Sequence, residues 1–376
     1  LPHPNPNPKS PPMKSLSQHL ESTSGRRDFL KKSALVTAAL AWPFSVLPES
    51  FRGVSMGVVV HSYGMRWGSK VESATYPAFA NAVDLMRHCH SIGAGGIQTT
   101  VGGWAEDFAK QVRDEREKLG MYLEGSIGLP KDSADLSRFE KEVRLAKEAG
   151  ATVLRTVCLS GRRYENFKTE TEWATFKENS LKSIQLAEPI VRKHQVRLAV
   201  ENHKDWRASE LAQLIQNLSS EWVGVTLDFG NNVSLLEEPM EVIRTLAPFA
   251  FSTHVKDMGI KAYEKGFLLS EVELGKGIVD LKTAVELCKK HNPQVTFSLE
   301  MITRDPLEIP CLEDSYWVTF EDEKAKDLAK ILRMVRDQSF SGDLPSVKNL
   351  DPEQRFAFEE ENVVKCLSYS RKELMS

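Results

Sequence analysis

Four acid or imidazole side chains each close a short apolar stretch in the second half of the chain. They are Glu201, Asp228, His254 and Glu300. Runs of Val, Leu, Ala and Phe before them are typical of buried parallel strands. The residue two positions earlier is small in every case: Ala199, Thr226, Ser252 and Ser298. Side chains two apart on a strand share a face. The pattern therefore predicts four side chains that converge on one point, with free space below them.

Three carboxylates in one interior repel one another unless a cation lies between them. A divalent metal accounts for the set, and we predict one ion bound by Glu201, Asp228, His254 and Glu300. Three oxygen ligands and one imidazole suit Mn²⁺ best, with Mg²⁺, Co²⁺ and Zn²⁺ also compatible. Such a site leaves room for two substrate oxygens.

The segments that must position these residues alternate regularly between strand-like and helix-like patterns from residue 56 onward. The predicted strands are 58–62, 95–100, 122–127, 153–159, 197–203, 225–228, 249–255 and 296–300. Eight parallel strands joined by helices predict an α/β fold of the (β/α)8 TIM barrel type, with the site at the carboxyl ends of the strands. An open doubly wound sheet is the alternative, but no Gly-x-Gly-x-x-Gly turn follows the first strand.

The barrel is predicted to span residues 53–340, between two other segments. Residues 1–50 combine a Pro-, Asn- and Ser-rich start, expected to be disordered, with Arg26-Arg27 before an apolar stretch. That arrangement resembles a twin-arginine export signal, which implies a periplasmic protein without a membrane span after processing. A basic amphipathic helix of the fold is the alternative. Residues 341–376 are predicted to form a C-terminal helical extension, either packed on the barrel or making a dimer contact.

Composition limits the classes of partner. A formal net charge of −3 over 376 residues gives no broad basic surface, so no nucleic-acid partner is expected. Five cysteines at scattered positions predict neither a zinc knuckle nor a disulfide framework. A small-molecule substrate is expected, and a homo-oligomer is left open.

The motifs Glu201-Asn-His203, Asp228-Phe-Gly-Asn231, His254-Val-Lys256-Asp257 and Glu300 resemble the sugar isomerase/epimerase branch of the xylose-isomerase-like barrel superfamily. That branch includes ketose 3-epimerases, hydroxypyruvate isomerase and inosose dehydratase, and the resemblance covers about residues 55–340. Asn231 stands where the ketose 3-epimerases have a substrate-binding His. Endonuclease IV shares the barrel, but its three-zinc cluster needs a denser set of ligands than this chain offers.

Further residues are candidates for substrate contacts. His203 and Lys256 are predicted to face inward one step nearer the mouth, where they bind substrate or orient a metal ligand. Asn231 and Trp67 are also predicted to bind substrate. Glu124 and Arg155 are expected inside the barrel, and His61 is a pocket residue without an assigned role.

The resemblance implies a metal-dependent isomerase or epimerase of a sugar or polyol ketone that acts by proton abstraction through an enediolate. Glu201 and Glu300 would exchange the proton with the substrate carbon. A lyase, such as a dehydratase of a keto sugar or inosose, is the alternative in the same site. A non-catalytic sugar-binding module is a third reading, and two glutamates of this kind argue against it.

Overall fold

The structure is a computed structural model that describes residues 55–320 and 325–375. The predicted signal segment, residues 1–50, lies outside the described residues. Within them, the strands in chain order are β1 (Gly57–Val59), β2 (Gly96–Thr100), β3 (Tyr122–Ser126), β4 (Val153–Thr156), β5 (Arg197–Glu201), β6 (Val223–Asp228), β7 (Ala250–Val255), β8 (Asp257–Tyr263), β9 (Gly266–Val272), β10 (Thr296–Leu299) and β11 (Leu307–Ile309).

The helices alternate with the barrel strands. They are α1 (Ala82–Ser91), α2 (Glu106–Leu119), α3 (Leu136–Glu148), α4 (Arg163–Asn166), α5 (Glu170–His194), α6 (Ala208–Leu218), α7 (Pro239–Leu246), α8 (Leu281–His291), α9 (Ala325–Asp337) and α10 (Pro352–Glu373). Their boundaries follow from local chemistry, as at α5, where Thr169 and Glu172 form a reciprocal capping box.

Strands β1 to β7 and β10 form a closed parallel barrel in which β10 pairs with both β7 and β1. This arrangement confirms the predicted (β/α)8 fold. Strand β1 is shorter than expected, because a 3-10 turn, Val60–Tyr63, begins directly after Val59. His61 therefore lies in that turn rather than on the strand.

A second, three-stranded antiparallel sheet of β8, β9 and β11 was not anticipated from the sequence. Strands β8 and β9 lie in the chain between β7 and α8, and β11 follows β10. Asp257 anchors its base, since one carboxylate accepts hydrogen bonds from the backbone N–H groups of Met258, Gly275, Gly277 and Val279. The sheet places Glu271 of β9 near Lys256.

The C-terminal helix α10 packs on the barrel, which was one of the two arrangements expected for it. Oε1 of Glu359 accepts a hydrogen bond from the backbone N–H of Met65 at 2.8 Å, and Asn362 donates to Oγ1 of Thr303 at 2.9 Å. Among the described residues, no helix is both long enough and apolar enough to cross a membrane.

The expectation of free space below the four converging side chains is wrong. Tyr122 fills part of the barrel interior, where its hydroxyl lies 2.9 Å from Oγ of Ser298 and donates to the carbonyl of Phe297. A Cβ at Gly57 or Gly96 would lie 2.2 or 2.4 Å from the Tyr122 side chain, so only glycine fits beside it. Of the small residues in the predicted pattern, Ser298 contacts Tyr122, and Thr226 and Ser252 contact each other.

Candidate metal centre and active site

The four predicted ligands converge at the carboxyl end of the barrel. Glu201, Asp228, His254 and Glu300 are all buried, and one ligand atom from each lies within 4.8 Å of the others. Strand register produces this meeting, because Asp228 pairs with His254 across β6 and β7, and Glu300 continues β10 beside Val255. Among the described residues this is the one cluster of His, Cys, Asp and Glu that could hold a metal ion.

Distances around Nδ1 of His254 fit a metal site. This nitrogen lies 3.5 Å from Oε1 of Glu201, 3.5 Å from Oε1 of Glu300 and 3.8 Å from Oδ2 of Asp228. Two atoms that ligate one ion at about 2.1 Å lie about 3 to 4 Å apart. Nδ1 of His254 is fully buried and makes no hydrogen bond. A buried polar atom without a hydrogen-bond partner is expected at a position where a metal ion can bind. The residues present therefore fit a divalent metal.

Gln98 determines which imidazole nitrogen of His254 faces the carboxylates. The amide nitrogen of Gln98 donates to Oε2 of Glu124 at 2.7 Å, so its amide oxygen faces Nε2 of His254, at 2.8 Å. Nε2 must then carry a proton and donate it, so Nδ1 is the nitrogen available to a metal. Burial acts to lower the pKa of His254, but Glu300 and Glu201 outweigh it and raise that pKa to about 10, so a metal would displace a proton from Nδ1. Sequence reasoning did not identify this role of Gln98.

Glu201 is held ionised by a buried arginine. Nε of Arg155 donates to Oε2 of Glu201 at 2.6 Å. Burial acts to raise the pKa of Glu201, but Arg155 and then His254 outweigh it and hold that pKa well below its usual range. Arg155 thus pairs with Glu201 and not with Glu124, whose pKa burial raises.

Lys256 bridges two of the other carboxylates. Its Nζ lies 2.8 Å from Oδ2 of Asp228 and 2.5 Å from Oε2 of Glu300. Burial acts to raise the pKa of Glu300, and Lys256 and His254 outweigh it and hold the pKa well below the usual range. Burial raises the pKa of Asp228, opposed by Lys256. The predicted inward position of Lys256 is confirmed, and it lies against the ligand set.

His61 contacts Glu300 from the outer side. Its Nδ1 lies 3.0 Å from Oε1 of Glu300, and 42% of its side chain is exposed, compared with 4% for Glu300. Glu201, in contrast, has a fully buried side chain. His61 therefore links Glu300 to solvent through one hydrogen bond, whereas the side chains that donate directly to Glu201, Arg155 and Asn231, are buried.

Asn231 contacts several members of the site. Its amide nitrogen donates to Oε1 of Glu201 at 3.0 Å, and its backbone N–H donates to Oδ1 of Asp228 at 2.7 Å. Its amide oxygen accepts from Nζ of Lys204 at 2.5 Å and from Nζ of Lys256 at 3.4 Å. Asn231 orients the ligands in this structure, and its predicted contact with substrate stays a prediction.

His203 lies half-buried at the mouth with a defined tautomer. Its Nδ1 lies 3.0 Å from the carbonyl oxygen of Leu159, so Nδ1 carries the proton and Nε2 keeps its lone pair. Burial lowers the pKa of His203 to about 3, so the ring is neutral. The predicted substrate contacts of His203 and Trp67 stay predictions. The backbone N–H of Trp67 donates to the carbonyl oxygen of Tyr63, and Trp67 lies opposite Phe79 in an isolated β-bridge whose hydrogen bonds are made by Arg66 and Gly68.

Three charged residues near the centre were missed from the sequence: Lys204, Glu271 and Arg304. Arg304 holds Glu271 through two contacts, Nη2 to Oε1 at 2.5 Å and Nε to Oε2 at 3.1 Å. Burial, together with Lys256 and Arg304, lowers the pKa of Lys204 to about 8. No local pattern marks these residues, because the β8–β9–β11 sheet and the loop after β10 bring them together.

Comparison with known proteins agrees with this geometry. The description of the family model that matches residues 86–335 is the xylose isomerase-like TIM barrel. A curated relative, 3-oxo-isoapionate decarboxylase of Pectobacterium atrosepticum, is 24% identical over 232 residues, which cover 60% of this chain and 78% of that protein.

Two solved structures share the fold at low sequence identity. D-psicose 3-epimerase in the presence of D-fructose has a TM-score of 0.55 at 14% identity, covering 86% of this chain and 100% of the other. A xylose isomerase-like TIM barrel protein from Mycobacterium smegmatis in complex with magnesium has a TM-score of 0.51 at 16% identity, with 76% and 97% covered. These likenesses establish the barrel and not the reaction.

Proposed function

Because this chain belongs to the xylose isomerase-like TIM barrel family, we propose that it is a metal-dependent isomerase or epimerase of a keto sugar or polyol ketone. The observation that carries the proposal is the pairing of Glu201 and Glu300. Both belong to the candidate ligand set, both are buried, and a separate cation keeps each of them ionised. A structural or binding role alone would not need two such bases.

The residues fit a single divalent ion, for which we favour Mn²⁺ on ligand type. When bound, the ion supplies Lewis-acid stabilisation of the negative charge that develops as a proton leaves the carbon next to a carbonyl. Asp228 and His254 would hold it from β6 and β7. Lys256 would add positive charge beside the same oxygens.

The two glutamates differ in their access to solvent, so we expect their protons to exchange with bulk water at different rates. Glu300 contacts the half-exposed His61, so a proton on Glu300 can pass to bulk water. The side chains that donate hydrogen bonds to Glu201 are both buried, and they are Arg155 and Asn231. We therefore assign to Glu300 the transfer that exchanges with solvent, and to Glu201 the transfer whose proton stays in the site.

Incubation with keto sugars in deuterated water tests this proposal. A true substrate should gain deuterium at the carbon next to its carbonyl, and Glu300→Gln should slow that incorporation by several orders of magnitude. Metal content must be measured in the same variant, because Glu300 is also a candidate ligand. Full conversion without deuterium at that carbon would instead indicate hydride transfer and would refute the two-glutamate mechanism.

A lyase is the second candidate, and the curated decarboxylase relative favours it. Breaking a bond next to a carbonyl also leaves negative charge that this site could stabilise. Release of carbon dioxide or water from the substrate, with no epimer or isomer formed, would distinguish a lyase from an isomerase.

We also propose export to the periplasm, on the resemblance of Arg26-Arg27 and the following apolar stretch to a twin-arginine signal. Lysine at both positions should retain the protein in the cytoplasm. Unaltered cell fractionation of that variant would argue against this route.

A further inference from the structure

Lys204 is a buried cation in an unusual backbone conformation. It lies three residues beyond Glu201, is 4% exposed and has a φ of +85°. A non-glycine residue in this left-handed region costs on the order of 1–3 kcal/mol and persists only where its surroundings determine it. The backbone therefore holds this side chain in the interior of the mouth at a cost in stability, which points to a function for its ammonium group.

Among the described residues, the ammonium of Lys204 makes no hydrogen bond or ion pair with a carboxylate, and the charges of Glu271 and Asp228 act on it only from a distance. Among residues 55–320 and 325–375, its hydrogen-bond partner is the neutral amide oxygen of Asn231, at 2.5 Å. Nζ of Lys256 lies 3.4 Å from the same oxygen, so the two ammonium nitrogens are within about 6 Å of each other. Buried lysines are normally paired, and two that share one neutral oxygen repel each other.

A balance of charges around the site shows what would pair with Lys204. Four buried carboxylates, those of Glu201, Asp228, Glu300 and Glu271, contact or face four cations, which are Arg155, Lys256, Arg304 and Lys204. Burial raises the pKa of the two other buried carboxyl groups nearby, Glu124 and Asp205, and so favours their neutral forms. These four negative and four positive groups already cancel. A divalent metal on the ligand set would therefore leave an excess of positive charge. Lys204 is the one of these four cations that makes no ion pair with a carboxylate.

We propose that Lys204 binds a carboxylate of the substrate, so that the enzyme acts on keto sugar acids in preference to neutral ketoses. This inference rests on the proposed function for the reaction and adds the substrate class. Asn231 connects Lys204 to the candidate ligand set, since it contacts both Lys204 and Glu201. The carboxylate would thus lie close to the reacting carbon, in a dry site where a charge-assisted hydrogen bond is strong.

Binding to matched ligands tests the assignment. D-fructose is the neutral counterpart of 2-keto-D-gluconate, which carries a carboxylate beside the ketone, and of D-fructuronate, which carries it at the far end. D-fructose 6-phosphate tests for a phosphate in place of a carboxylate. Calorimetry with the Mn²⁺-loaded protein should show at least one acid binding about tenfold or more tightly than D-fructose.

Three variants separate charge from folding. Lys204→Met should weaken binding of the preferred acid about tenfold or more and change D-fructose binding less than twofold. Lys204→Arg should restore most of the preference. Lys118→Met, which removes the same charge from the exposed face of α2, should change neither.

Four results would each overturn the proposal. The first two are equal binding of the acids and D-fructose, and no detectable binding of either acid. The other two are tighter binding of the phosphate ester, and equal weakening of the binding of every ligand in Lys204→Met. An acid that binds through Lys204 but gains no deuterium would instead contradict the proposed reaction and leave this assignment intact.

Discussion

Gln98 accepts a hydrogen bond from Nε2 of His254 at 2.8 Å, and this contact turns Nδ1 of the imidazole toward three carboxylates. Gln98 is not a member of the candidate ligand set. It acts through the tautomer and orientation of His254, and Glu124 in turn orients Gln98.

Gln98→Met should weaken metal affinity by about 10- to 100-fold, because His254 would lose the acceptor that fixes its tautomer. Titration with Mn²⁺, followed by calorimetry, measures the change. Gln213→Met, on the exposed face of α6, is the matched control and should bind the metal as the wild type does. Unchanged affinity in Gln98→Met would show that the hydrogen bond does not position the ligand.

Lys256 compensates Asp228 and Glu300 when no metal is bound. Lys256→Met should therefore lower the free energy of unfolding of the metal-free protein by about 3–5 kcal/mol, because it leaves buried carboxylates unpaired. Added Mn²⁺ should recover a larger part of the stability in this variant than in the wild type. Denaturant unfolding with and without Mn²⁺ tests this, with the exposed Lys182→Met as control. Equal stabilisation of all three proteins by Mn²⁺ would contradict the account.

The buried carboxyl group of Glu359, which lies outside the candidate metal centre, should make the stability of the protein depend on pH. Burial raises the pKa of Glu359 to about 7, so the folded state holds its proton more tightly than the unfolded state. The contribution of Glu359 to stability is thus complete below about pH 4.5 and is lost as the pH rises toward 7, by about 3 kcal/mol at most. Burial also raises the pKa of Asp205 to about 7, which adds a decline in the same range to all variants.

Glu359→Gln keeps an oxygen for the N–H of Met65 and cannot ionise. Denaturant unfolding should find it more stable than the wild type at pH 8, with the gain shrinking toward pH 5. Glu361→Gln, an exposed change on the same helix, should show no such trend. A gain in Glu359→Gln that is constant with pH would contradict the titration argument.

The sequence predicted the barrel and its ligand set because both follow from strand periodicity. Parallel strands that end on Glu201, Asp228 and His254 must present these side chains at one edge, and the register confirms it. The role of Gln98 had a readable signal, since a buried amide in an apolar strand needs a partner and β3 offers Glu124 directly opposite.

Other features depend on tertiary packing that no local pattern carries. The first half of β8 is buried on both faces, so Asp257–Tyr263 lacks the alternation that marks an exposed hairpin. Without that sheet, Glu271 could not be placed near Lys204. The end of β1 at Val59 was also hidden, because the apolar run continues into the turn that carries His61.

We propose that Glu201, Asp228, His254 and Glu300 together bind one divalent metal ion. Elemental analysis of the purified full chain measures this most directly, with Asp228→Asn as the test variant and Asp205→Asn as a buried control outside the ligand set. We expect about one equivalent of metal in the wild type and the control, and none in Asp228→Asn. No metal in the wild type, about three equivalents per chain, or full retention in Asp228→Asn would contradict it.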